Sequence, residues 1–323
     1  MPSTYRVRRG APRLLPVAAL SLLFLSLIGT TACNPGQGGL RVEISFAPER
    51  STEGQDGRII LIVSNREGEE PRFQYGLFQP ETQLGFGMDV EGLRPGEVAV
   101  MDGATFGFPL KSLDEIPSGE YRVQAILNRY ETFVRGDGHT VSLPPDQGEG
   151  QHWNTKPGNF FSAPVELELD PSQGGTVRLT LDQEVPPIPE FQDTPWIKHV
   201  QIQSELLSEF WGRPMFLGAY VLLPAGFEEH PEARYPMAIH HGHFPRGFPE
   251  FSDQPPSADL TGSDRTRAEY AYDLYQRWTS PGFPRMLAVK IEHANPYYDD
   301  SYAVNSENVG PYGDAIVREL IPY

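Results

Sequence analysis

A proline-rich hexapeptide, VPPIPE at residues 185–190, separates two stretches of this chain that follow different patterns. Proline fixes φ and removes the amide donor, so residues 185–195 read as a stiff, extended linker that suits neither a helix interior nor a central strand. Ahead of it every apolar run is strand-like. Residues 41–46 (RVEISF) and 120–127 (EYRVQAIL) alternate apolar and polar side chains, and residues 58–64 (RIILIVS) form a more fully buried run. Residues 165–169 and 176–181 predict a hairpin across DPSQGG at 170–175. Nothing there keeps a 3.6-residue period. Short strands, Gly/Pro turns and no helix predict an immunoglobulin-like β-sandwich over residues 40–184.

Beyond the linker, residues 196–323 alternate strands and helices. Strands are expected at 198–204, 216–223, 235–240 and 286–292. Helices are expected at 264–278 and from Gly310 onward, where Ala315, Ile316, Val317, Leu320 and Ile321 carry the apolar positions. The order β-β-β-α-β-α predicts a sheet that opens antiparallel and continues by parallel crossover.

The N-terminus predicts export. Arg6, Arg8, Arg9 and Arg13 precede a short apolar run at 14–28, too short for a comfortable membrane span, and then Ala32 and Cys33. Residues 1–32 read as a lipoprotein-type signal peptide, Cys33 as the lipidation site, and residues 33–39 as a polar tether. Thr30 stands where such signals usually have leucine; cleavage by an ordinary signal peptidase, with Cys33 incidental, is the alternative. The expected location is the cell envelope, with membrane contact through the lipid. The net charge of −17 disfavours nucleic acid and anionic membrane surfaces as partners. With one cysteine in the chain, no internal disulfide can form.

Three segments carry chemistry by resemblance. GAYVLLPAGF at 218–227, YPMAIHHGH at 235–243 and DSYAVNSENVGPYGD at 300–314 resemble the N-terminal part of the esterase D and enterochelin-esterase-like esterases. The resemblance implies a partial α/β-hydrolase domain, with a mostly parallel sheet in a three-layer αβα arrangement, over residues 196–323. It implies hydrolysis of a small-molecule or glycan ester through an acyl-serine. It also implies an oxyanion loop whose backbone donors are Gly242, His243 and Phe244, where glycine admits close approach of an acyl oxygen. The family's Gly-x-Ser-x-Gly elbow, acid and histidine have no matching positions, so the expectation is an N-terminal portion that is inactive by itself. No cofactor is expected.

Other readings compete. A non-catalytic lipoprotein could bind a glycan or a partner through the β domain. His240, His241 and His243 could bind metal with Glu292 or His293, although the spacing matches no standard zinc signature. Asp299, Asp300 and Glu307 could bind a cation, or simply be solvated. Tyr297, Tyr298, Tyr302 and Tyr312 could line a groove, or pack the sheet. The loop QGEGQHWN at 147–154 suits either a sugar contact or a contact between domains.

Overall fold

The alternation in the first stretch does what its period requires. In a computed structural model that describes residues 39–76, 81–150, 152–297 and 300–323, β1 (Leu40–Phe46) turns Leu40, Val42, Ile44 and Phe46 inward. It pairs antiparallel with β4 (Ala99–Met101) and parallel with β11 (Gly175–Leu181). The larger sheet runs β12 (Gln183–Glu184), β9 (Phe160–Phe161), β6 (Gly119–Arg129), β2 (Gln55–Ser64), β3 (Leu84–Leu93) and β5 (Gly107–Phe108), with β10 (Val165–Leu169) also paired to β6. Ile59, Leu61, Val63, Val123, Ala125 and Leu127 face the side chains of β1 across one apolar core. A β-rich fold compatible with a β-sandwich results. The hairpin β7 (Glu131–Val134) and β8 (Thr140–Leu143) stands apart from both sheets.

The expected pairing of residues 165–169 with 176–181 does not form. β10 pairs with β6 and β11 with β1. Leu169 on one side and Leu179 and Leu181 on the other reach the same core from opposite sheets, so the intervening turn carries the chain across the core.

The second part contains β13 (Ile197–Ser204), α1 (Glu205–Trp211), β14 (Met215–Leu222), β15 (Met237–His240), α2 (Gly262–Thr279), β16 (Leu287–Glu292) and α3 (Tyr312–Ala315). A π-helical turn, Ile316–Leu320, continues α3. Helix α1 was not foreseen. Its start is set by Ser204, whose hydroxyl accepts the Leu207 amide, and by Glu319, which accepts the Leu206 amide at 3.0 Å; Gly212 ends it with φ 63°.

The expected fold class needs correction. Strand makes up 36% of the chain and helix 14%, in several antiparallel and mixed sheets, which does not fit a mostly parallel αβα hydrolase sheet with many helices. In the sheet β13-β14-β16-β15 only β15 and β16 are parallel. The connections explain this. Parallel neighbours need a long crossover, and the segment carrying α2 supplies one, whereas the short link through α1 returns β14 antiparallel to β13.

One face of this sheet packs Leu217, Ala219, Val289 and Ile291 against Leu207, Tyr312, Ile316 and Leu320, with Phe133 of β7 in the same cluster. The other face packs Tyr220 and Leu222 against Phe248, Phe251 and Trp278. Gln37–Tyr323 forms one compact unit. Residues 1–38, with the signal segment, Cys33 and most of the tether, lie outside the described residues, as do Tyr298 and Asp299. No described helix is long and apolar enough to cross a membrane.

Candidate functional site

Parallel pairing of β15 with β16 sets the geometry of the most chemically dense region. His240 lies opposite Lys290, so the loops leaving the two strands start side by side, one strand spacing apart. Residues 241–247 leave β15, and residues 293–303 leave β16.

Hydrogen bonds join these loops. His293 is 4% exposed; its Nε2 donates to the Gly242 carbonyl at 3.2 Å, which leaves Nδ1 to accept from Ser301 Oγ at 3.0 Å. Burial holds its pKa below the ordinary imidazole value, against the opposing pull of Asp300, so this ring is neutral near pH 7. His243 Nδ1 donates to Asp300 Oδ2 at 2.7 Å, from a half-exposed ring to a buried carboxylate. Asp300 Oδ1 also accepts the Tyr302 amide at 2.8 Å, and Ser301 Oγ accepts the Ala303 amide at 3.1 Å.

Among the described residues, three that are not glycine have positive φ: Phe244 at 46°, Tyr302 at 50° and Ala303 at 54°. All three lie in these two loops. A left-handed conformation costs a residue with a Cβ about 1–2 kcal/mol. The buried network compensates at Tyr302 and Ala303 by accepting their amides. At Phe244 the ring lies over Gly150, where a Cβ would come within 2.7 Å. The loop at 147–154 therefore meets the 241–247 loop. The preceding Asp146 amide donates to the Pro296 carbonyl at 3.0 Å, which ties the same region to the loop after β16.

The amides of Gly242, His243 and Phe244, the expected oxyanion donors, donate to no described residue, although the Gly242 carbonyl is engaged. Ser301, His293 and Asp300 share the composition of a catalytic triad but not its geometry. The serine and the carboxylate approach the same ring nitrogen, with Asp300 Oδ1 3.9 Å from Nδ1, while the far nitrogen is bonded to a carbonyl. Ser301 is 3% exposed, out of reach of a substrate. This cluster braces the loop.

The metal alternative gains no cluster: no group of three or more His, Cys, Asp or Glu among the described residues could hold an ion. Glu292 instead bonds His199, Oε2 to Nε2 at 2.8 Å, beside the stacked ring of Tyr220. Gly218 makes room for this pair, since a Cβ there would come within 2.3 Å of Glu292 Oε2. Burial and Glu292 push the Tyr220 hydroxyl up to about 12. The pair lines a cleft of about 450 Å³ with Arg213, Gln201 and Asn295. Of the four tyrosines, Tyr297 and Tyr312 are core residues; Tyr302 is exposed, with its ring edge-on to His243. Asp300 is buried and paired with the half-exposed His243, while Glu307 is solvent-exposed.

Sequence reasoning singled out Gly242, His243 and Phe244 and missed the hydrogen bonds around them. His293, Asp300 and Ser301 were visible as residues, but their convergence on Gly242 and His243 depends on strand register. Compared with known proteins, the chain matches no family model and no curated protein.

Proposed function

We propose that the chain binds the carbonyl oxygen of a small-molecule or glycan ester at the amides of Gly242, His243 and Phe244, in the manner of the esterases its sequence resembles, and without forming a covalent acyl-enzyme itself. The observation that carries this reading is the coincidence of amides that donate to no described residue with strained backbone. Phe244, Tyr302 and Ala303 are held left-handed in the two loops that frame those amides. Strain of this kind collects where a backbone must present groups in a fixed direction. Preorganised N–H donors are the elements that stabilise a developing oxyanion. The non-covalent part rests on the one serine–histidine hydrogen bond among the described residues, that of Ser301 with His293, being buried.

Titration with an alkyl phosphonate, which mimics the tetrahedral oxyanion, tests the reading. Amide shifts should move at residues 242–244, and Asp300→Ala should weaken binding by about tenfold through loss of loop order. No shift at those amides would remove the basis for an ester-binding role. Covalent labelling by a fluorophosphonate would overturn the non-covalent part.

A further inference from the structure

The outward face of the larger sheet carries a second, unrelated feature. Strands β2 and β3 are central strands, and their register places Ile60 opposite Gly87 and Arg58 opposite Asp89. Gly85 and Gly87 occupy outward positions where neighbouring side chains lie against the backbone. A Cβ at Gly85 would come within 2.5 Å of the Tyr75 ring, and one at Gly87 within 2.8 Å of the Arg58 side chain. The two glycines therefore form a floor on which Tyr75 and Arg58 lie close. The Trp153 ring stands 6.3 Å from that of Tyr75. Phe106 and Phe108, also lining the hollow, are 65% and 44% exposed. Together these side chains frame a shallow hollow of about 160 Å³.

Exposed phenylalanines gathered on one patch mark an interaction surface more often than isolated ones do. Charge and topology narrow the ligand. Arg58 Nη1 and Asp89 Oδ1 form an ion pair at 2.7 Å, so the rim is neutral although the chain carries −17. A polyanion gains nothing there. A peptide that adds to a sheet needs an unpaired strand edge, and beside the hollow β2 is paired with β6 and β3, and Gly85 and Phe86 of β3 are paired with β5. A small flat ligand with an apolar face and a hydroxylated rim fits both constraints.

We propose that this hollow binds a pyranose unit of a neutral β-linked glycan. The C–H face of a ring with equatorial hydroxyls would lie on Tyr75, Phe106 and Phe108, and its hydroxyls would meet Arg58 as donor and Asp89 as acceptor. The site is independent of the ester-binding loop, and failure at either leaves the other standing.

Isothermal titration of the full chain with cellohexaose and xylohexaose tests the proposal. At least one should bind, and Phe106→Ala and Phe108→Ala should each weaken it by about tenfold. Both residues are exposed, so thermal melting should hardly change. Gly87→Val, which drives Arg58 off the floor without removing an aromatic ring, should also weaken binding. Absence of binding to both oligosaccharides would overturn the proposal, as would affinity unchanged in the Phe106→Ala/Phe108→Ala double variant. Binding to neutral lipid vesicles that depends on these phenylalanines, without glycan binding, would assign the patch to a membrane instead.

Discussion

The core between the first two sheets and the interior beneath the ends of β15 and β16 are assembled by opposite means. In the first, Leu40, Ile44, Phe46, Ile59, Leu61 and Leu127 meet from two sides as apolar side chains alone. In the second, His293, Asn295, Asp300 and Ser301 are buried beside the strand ends and satisfied by hydrogen bonds. Apolar burial is non-directional and tolerates small shifts. A buried polar network fixes position and angle, and it is costly when one member is lost. The first region supplies stability; the second supplies geometry.

The sharpest way to break that contrast is to cut into each region and compare. Leu61 is fully buried between the sheets. Leu61→Ala should cost about 2–5 kcal/mol by urea denaturation, from lost transfer energy and an unfilled cavity. Asp300→Ala removes a carboxylate from an exposed histidine, which water can resolvate, but it strands the Tyr302 amide. Its cost should be smaller, about 1–3 kcal/mol. It should also release the 300–303 backbone, read as faster hydrogen exchange at Tyr302 and Ala303. If Asp300→Ala costs as much as Leu61→Ala and leaves exchange there unchanged, the network is a stabilising core and the contrast fails.

The two regions also differed in how far their sequences announced them. Strands β1, β2, β6 and β16 were legible because an alternating or wholly apolar run is a local signal. β3, with the sequence LGFGMDVEGL, was not: its glycines obscure the pattern because they serve Tyr75 and Arg58 and not the core. The hairpin expected at 165–181 failed because turn chemistry says where a chain reverses, not which sheet it rejoins. Helix α1 is seven residues long, and Glu319, from the far end of the chain, clamps its start. The mostly parallel sheet was over-read from one real crossover, that of α2 between β15 and β16. In the site, Gly242 was conspicuous between histidines. The pairing of His243 with Asp300 was not, because it joins residues 57 apart in sequence. Lys156 gave no warning either: it stands in the mostly polar stretch NTKPGN at 154–159, yet it is buried, donates to the Arg129 carbonyl at 2.9 Å, and burial lowers its pKa to about 8.

The mildest probe is pH, and it tests whether the polar interior is neutral as its hydrogen bonds require. Burial depresses the His293 pKa below the ordinary value of 6.5, outweighing Asp300 and the Gly242 carbonyl, which favour the charged ring. Below that value the unfolded chain takes up a proton on this imidazole that the folded chain resists. The contribution of His293 to stability is therefore full above pH 6.5 and declines as pH falls toward the lowered folded-state pKa. One proton limits the slope to about 1.4 kcal/mol per pH unit. Urea denaturation at a series of pH values from neutral downward, on the parent and on His293→Gln, isolates this part because the other histidines are common to both proteins. The parent should lose more stability on acidification than the variant. Equal losses would mean that His293 takes up its proton in the fold as readily as in the unfolded chain, and a smaller loss in the parent would mean that the fold holds the charged ring, with Nδ1 donating to Ser301 in place of accepting.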